Sequence, residues 1–344
     1  MKWKQWYIKL SSWEYWPMWI LYVPVFIQHF YLAFKARSLF FFLKVNPVIK
    51  DGFILSDEKY GSLQLVPEIY RPSTLLIEKG ASIADVSSAI EEAKFDYPLI
   101  VKPNIGFRGF LVYRCETEND LEQINFLKTS YLIQEYIDEP IEVGVFYYRY
   151  PNERSGNIPS ITLKEFLTIT GDGIATFEKL VRGKPRAFLH YKKLRNRFNN
   201  RWDEIIPKGE VVKLESIGNH NRGTKFLNAN HLLDAQLLKT FDALSSEMDG
   251  FYYGRFDIRA KSIADLKQGK NFKILEVNGV GAEPAHIYDP SYKLINAWKE
   301  TLFLWRVAYK IAMINKEKGE QFPVFSEAKQ RYLQYKNYKK VSLT

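Results

Sequence analysis

Two short runs constrain this chain most: GRFDIR at 254–259 and ILEVNG at 274–279. Each sets charged or amide side chains into an apolar, strand-forming stretch. Strand side chains repeat every two residues, so Glu276 and Asn278 share one face of the second run. If the two strands pair, Asp257 joins them and three oxygen-bearing side chains converge on one point. Such a set suits a hard cation such as Mg²⁺ held beside phosphates.

A chain of 344 residues has room for two domains, or for one domain with appended parts. Its 46% hydrophobic and 26% charged content is that of a globular protein rather than a disordered one. The single cysteine, Cys115, excludes an intramolecular disulfide, and no Cys/His spacing suggests structural zinc. The formal charge of +10 favours anionic partners: nucleotide, nucleic acid or acidic lipid. The basic residues are dispersed and no nucleic-acid module is present, so no nucleic-acid partner is expected.

The N-terminus narrows the choice further. Five of the eight tryptophans fall within residues 1–19, and aromatic, apolar character continues to about residue 43. Trp and Tyr rings are favoured at a membrane–water interface. No formal charge lies between Glu14 and Lys35, close to the roughly 20 residues a spanning helix needs. Pro17 and Pro24 interrupt the run, however, and no small-residue cleavage site follows it. Residues 1–50 therefore read as a helical segment lying at a membrane surface. Two other readings stand beside this one: a spanning helix, and an aromatic helical pair packed on the protein's own core or on a homodimer partner.

Residues 51–70 are rich in turn formers and read as a linker. From 71 to 310 strand and helix patterns alternate. Residues 82–95 have helical spacing with Ser82 as N-cap, and 97–103 read as a strand stopped by Pro103. A glycine loop follows at 104–110, then a helix at 118–128 and strands at 131–137 and 142–150. Further helices are expected at about 230–248 and 292–316, and 311–344 read as a basic helical tail. The fold class is α+β with mostly antiparallel strands.

Lys102 ends a strand just before the glycine loop. Its charge suits an ATP phosphate, while Gly106 and Gly109 let backbone N–H groups approach the oxygens. Taken alone, the loop is better explained by a plain hairpin turn. In IQEYIDEPIE, 133–142, Glu135 can accept from an adenine amino group, the next backbone groups can meet the base edge, and Glu142 can reach ribose hydroxyls. Two solvent-facing glutamates would leave the same pattern.

Taken in order, LIVKPNIGFRGFLV, YLIQEYIDEPIE, GRFDIR and ILEVNG resemble the ATP-grasp superfamily over roughly residues 70–310. The nearest groups are the D-alanine:D-alanine ligases and, through GDGIATFEKLV and GNHNRGT, the ligase domains of cyanophycin synthetase and the bifunctional glutathione synthetases. The resemblance implies ATP held between two α+β subdomains. It implies that Lys102 contacts the α- or β-phosphate and that the loop of Gly106, Arg108 and Gly109 closes over the triphosphate. Glu135, Tyr136 and Ile137 would hold adenine, and Glu142 ribose. Asp257, Glu276 and Asn278 would bind two Mg²⁺ ions, with Mn²⁺ as the other candidate.

By the same resemblance Lys164 faces the γ-phosphate and Arg255 the reacting carboxylate or acyl phosphate. Arg222 is a candidate for orienting the acyl phosphate, against a surface-loop arginine. His286 and His220 are candidates for the acceptor pocket, against histidines that merely occupy turns. Phe107 and Arg108 depart from the small hydroxyl residues of many relatives, and residues 1–70 are too short and aromatic for the substrate domain of the D-alanine ligases. The implied activity is an ADP-forming carboxylate–amine ligase working through an acyl phosphate. Its substrates would be a small or lipid-linked acid and amine, and its place the cytoplasmic face of a membrane or else the cytoplasm. The alternatives are a phosphotransferase acting on a small molecule and a non-catalytic, membrane-associated nucleotide-binding protein.

Overall fold

A computed structural model describes residues 2–49, 58–105, 111–216 and 218–343. Helices α1 (Lys2–Ser11), α2 (Met18–Ala36) and α3 (Lys59–Gln64) precede a four-stranded sheet of β1 (Thr74–Ile77), β2 (Leu99–Pro103), β3 (Tyr113–Cys115) and β4 (Tyr131–Glu135), ordered β1-β4-β2-β3. One face of that sheet is covered by α4 (Ile83–Glu92), whose Val86 and Ile90 pack with Leu99, Val101 and Ile133. Helix α4 starts where expected because Ser82 and Asp85 close a reciprocal capping box.

The second sheet has five strands, β5 (Ile141–Tyr148), β6 (Asn157–Glu165), β9 (Lys225–Asn228), β10 (Tyr253–Ala260) and β11 (Phe272–Asn278), in the order β11-β10-β5-β6-β9. Between β6 and β9 the chain forms a small hairpin, β7 (Thr168–Thr170) with β8 (Val211–Lys213), and helices α5 (Phe177–Gly183), α6 (Pro185–Leu189) and α7 (Tyr191–Arg197). Helices α8 (Ala235–Ser246) and α9 (Ile263–Lys267) flank β10, and α10 (Leu294–Glu317) and α11 (Phe325–Leu343) complete the chain. Every strand pair in both sheets is antiparallel.

Alternation along β10 decides what each face does. Phe256, Ile258 and Ala260 join Phe241 and Leu244 of α8 in one core, which leaves Arg255, Asp257 and Arg259 on the opposite face. On β5, Val143 and Val145 enter the same core while Glu142 faces the other way.

Three local expectations change. The helix expected at 118–128 is a short 3-10 helix, Glu118–Gln123, which ends where Ile124 becomes extended and, with Phe126, enters the core under β1–β4. The helix expected from about 230 begins at Ala235, where the Asp234 side chain caps the Leu237 N–H after a separate turn. The linker expected over 51–70 contains α3, anchored by burial of Leu63 and then Val66 in the second-sheet core; residues 50–57 lie outside the described residues.

The N-terminal segment has two unlike faces. Leu32, Ala33 and Ala36 of α2, followed by Phe41–Leu43, pack against Leu304, Val307, Ala308 and Ile311 of α10. Trp13 stacks on Tyr288 at 5.5 Å between centroids and donates from Nε1 to the Tyr292 carbonyl at 2.7 Å. The opposite face of α2 leaves Trp19, Val23, Ile27 and Phe34 exposed. No helix among the described residues is long and apolar enough to cross a membrane.

Candidate functional site

The two sheets meet at Lys102. Its Nζ donates to Gln134 Oε1 at 3.0 Å and, across the gap between sheets, to the Leu275 carbonyl of β11 at 3.1 Å. Burial pulls its pKa down to about 8, against a smaller opposing pull from Glu276.

A row of charges runs from Lys102 over the second sheet. Glu142 on β5 accepts from Lys164 of β6 at 2.8 Å and from Arg259 of β10 at 3.2 Å. Asp257 accepts two hydrogen bonds from Arg255, both at 3.1 Å, and one from the Asn278 amide at 3.2 Å, and lies 3.5 Å from Lys164. In the register Asp257 stands opposite Glu276 and Arg255 opposite Asn278, so the sheet itself brings the acidic pair together. Glu276 pairs with Lys59 of α3 at 3.3 Å. Burial would raise the Asp257 pKa, but Arg255 and Lys164 outweigh it and hold the carboxyl down to about 2. Burial likewise opposes ionisation of Glu276, but Lys59, Lys102 and Arg255 together outweigh it and lower its pKa.

Within this row five cations (Lys59, Lys102, Lys164, Arg255, Arg259) face three carboxylates (Glu142, Asp257, Glu276), an excess of two positive charges. Glu135 and Glu283 line the same cavity, so the surplus is local to the row, where it suits the phosphates of a polyanionic ligand. Gly218 closes over Glu142: a Cβ there would lie 2.0 Å from Glu142 Oε1, so any side chain would push the carboxylate off its two cations.

The row floors a cavity of about 1440 Å³. Lys102, Glu135, Tyr136, Ile137, Glu142 and Lys164 line it, as do Arg255, Asp257, Glu276, Asn278 and His220. Arg222 instead sits beside Glu215, at 3.6 Å. His286 is fully buried, with Nδ1 2.7 Å from Ser160 Oγ and Nε2 2.8 Å from Glu300 Oε2, so its ring joins β6 to α10 and does not face the cavity. Gly106, Arg108 and Gly109 lie outside the described residues.

Several contributors went unread in the sequence. Arg259 had a signal, two residues beyond Asp257 on the same face of GRFDIR. Glu14 had only a faint one, as the single acid among residues 1–49. It accepts from Arg186 Nη2 at 2.8 and 2.7 Å and lies 2.9 Å from His220 Nε2. Burial works against its charge, yet His220 and Arg186 lower its pKa.

Residues 56–145, which carry Lys102, Glu135 and Glu142, match the RimK-like ATP-grasp domain family. The chain has an ATP-grasp fold. ATP is the ligand such domains grasp, and the local surplus of cations in the row from Lys59 to Arg259 suits its triphosphate. Among solved structures the ATP-grasp chain is similar to a D-alanine–D-alanine ligase from Bacillus anthracis, at 14% identity, covering 78% of this chain and 70% of that one with a TM-score of 0.43. It is also similar to the VanG D-Ala:D-Ser ligase from Enterococcus faecalis, at 16% identity, 70% and 61% coverage and a TM-score of 0.38. A bifunctional glutathione synthetase from Pasteurella multocida gives 15% identity and a TM-score of 0.38 over 69% of this chain, which spans only 35% of that protein. No curated protein sequence matches the chain. Likenesses this distant leave the chemistry of the ATP-grasp cavity to be read from its own residues.

One reading concerns pH. With a pKa near 8, Lys102 is mostly charged at pH 7 and mostly neutral at pH 9. Affinity of the free protein for a non-hydrolysable ATP analogue is expected to fall about tenfold between those values, as the charged fraction drops from about nine tenths to about one tenth. Calorimetric titration checks this, and Lys102→Met should flatten the profile; an equally steep fall in the variant would remove Lys102 as its cause. The stability term has the opposite sign. Because the folded pKa lies below the unfolded one, the unfolded chain binds the extra proton between about pH 8 and 10.5, and Lys102 makes the fold more stable as pH rises through that window.

Proposed function

We propose that the chain is an ADP-forming carboxylate–amine ligase acting on a lipid-linked or amphipathic substrate at the cytoplasmic face of a membrane. The observation that carries this reading is the row of alternating charges between Lys102 and Asn278, which places fixed cations around a paired Asp257 and Glu276. The exposed face of α2, with Lys2, Lys4, Lys9, Lys35 and Arg37 near it in the chain, supports contact with an acidic membrane surface.

A carboxylate is a poor electrophile, because its charge repels nucleophiles and oxide is a bad leaving group. In the proposed reaction a carboxylate oxygen bonds to the γ-phosphorus of ATP as the bond to ADP breaks. An amine nitrogen then attacks the acyl carbon, phosphate departs with the carbon–oxygen electron pair, and the nitrogen gives up a proton. Lys102 and Lys164 offset charge on the phosphates, and Arg255 orients the reacting carboxylate. Lys164 is kept charged although burial opposes it, since Asp257 and Glu142 outweigh that cost.

Two carboxylates and an amide oxygen form a donor set that suits Mg²⁺ or Mn²⁺ beside phosphates. No group of three or more His, Cys, Asp or Glu side chains gathers for a metal among the described residues, so Asp257 and Glu276 depend on Asn278 and on the ligand for the remaining donors. Bound there, Mg²⁺ would screen the charge of the transferring group.

A hydroxylamine trap tests the reading. With ATP, Mg²⁺, hydroxylamine and fractionated cell extract, the protein should form a hydroxamate that identifies the acid. A phosphorylated metabolite in its place would favour a phosphotransferase. Neither product, with ATP still bound, would favour a non-catalytic nucleotide-binding protein.

A further inference from the structure

We infer that the cavity has a second arm, walled by the N-terminal segment and α10, that takes the apolar chain of one coupling substrate. The arm deepens the ligase reading, which supplies the chemistry at the polar end of that chain. Four observations carry it.

The first is size. A volume of about 1440 Å³ exceeds the roughly 300–1,000 Å³ that ordinarily holds one small molecule, so a nucleotide leaves room for a second ligand. The second is the change of lining. Away from Lys102 and Asp257 the wall becomes Tyr22, Val25, Phe26, His29, Phe40 and Trp305. His29 belongs to this apolar wall: its ring stacks on Phe41 at 5.4 Å and meets Trp305 edge-on at 5.6 Å, and burial lowers its pKa and keeps it neutral.

The third is continuity. Arg255 Nη1 donates to the Glu283 carbonyl at 3.3 Å, and Tyr288 Oη donates to Glu283 Oε2 at 2.7 Å and contacts Met18 Sδ at 3.4 Å. One loop therefore spans from the reacting end to the first turn of α2. The fourth is where the arm opens. Phe26 and Phe30 line the cavity yet are 53% and 62% exposed, on the same helix as the outward Trp19, Ile27 and Phe34. A groove that starts on an exposed apolar stripe and ends at Arg255 and Asp257 matches a ligand with an apolar tail and a polar, reacting head. A peptide or a second copy of the chain covering the stripe would have no reason to continue inward to the charged row.

Photolabelling of the full chain tests the arm. Hexadecanoic acid and hexadecylamine, each with a diazirine on the chain, are bound with an ATP analogue and Mg²⁺, and adducts are mapped to residues by mass spectrometry. Adducts are expected on Tyr22, Val25, His29, Phe40 or Trp305, and unlabelled competitors should gain about fourfold in affinity per added methylene until the arm is full. The probe that labels, acid or amine, tells which partner carries the tail. Phe30→Asp, at an exposed rim position where folding is little disturbed, and Leu39→Trp, which adds bulk at a half-exposed residue lining the cavity beside Phe40, should each lower labelling about tenfold with ATP affinity retained. Adducts confined to Trp19, Ile27 and Phe34, labelling that unlabelled chains do not displace, or labelling unchanged in both variants would overturn the arm. The ligase reading is judged separately by hydroxamate formation: adducts in the arm without any hydroxamate would leave the arm standing and remove the ligase.

Discussion

Asp257→Asn should reduce the proposed ADP formation by about a hundred- to a thousandfold, the scale seen when a preorganised charge contact in an active site is lost. The substitution keeps the shape of the side chain and removes its charge. Arg255 loses the carboxylate to which it donates twice, Lys164 loses one of its two acidic neighbours, and the proposed cation site loses a ligand. Asp257 is nearly buried, so the stability cost should be of the order of 3–5 kcal/mol, as for one partner removed from a buried ion pair. Burial resists ionisation, but Arg255 and Lys164 hold its pKa down to about 2. Its stabilising contribution is therefore present above the unfolded value near 3.9 and is lost only as pH falls toward 2. A coupled ADP assay and thermal unfolding check both effects; a variant that keeps a tenth of the turnover would remove Asp257 from the chemistry.

Glu142→Gln separates two accounts of one residue. The resemblance assigns Glu142 to ribose, whereas the structure puts its carboxylate between Lys164 and Arg259 under Gly218, with all three ionic side chains at most 8% exposed. Neutralising it leaves two buried cations short of their partner and should cost about 3–5 kcal/mol. For a chain of this size that is a fall in Tm on the order of 10 °C. ATP affinity should fall as well, because Lys164 is no longer held against the sheet. If instead the KM for ATP rises while Tm moves less than about 2 °C, the ribose contact is the main role of Glu142 and the ion row stands without it.

Strand chemistry was the most legible part of this molecule. GRFDIR and ILEVNG reveal the Asp257–Glu276 pair because alternation needs no knowledge of the rest of the chain. Arg259 obeys the same rule and could have been included. Glu14 could not be placed, since its partners Arg186 and His220 lie 172 and 206 residues away and no local pattern encodes such a contact. Lys59 was hidden in a different way: turn-forming neighbours mask α3, which is held by burial of Leu63 against the second sheet. His286 follows a turn motif, yet Ser160 and Glu300 hold it inside the protein. The aromatic N-terminus announces apolar surface, but composition cannot tell which side of α2 meets α10.

That division of α2 makes residues 2–49 a structural wall, whether or not they also serve as the proposed attachment. A tether can be exchanged for another tether without the enzyme noticing. Here, a foreign leader in place of this segment would strip the cover from Leu304, Val307 and Ile311, remove the Glu14 carboxylate from Arg186 and unroof the aromatic side of the cavity. On the proposed reading, where the protein docks and what its pocket accepts are written in the same forty-eight residues, and a lineage could not revise one without redrafting the other.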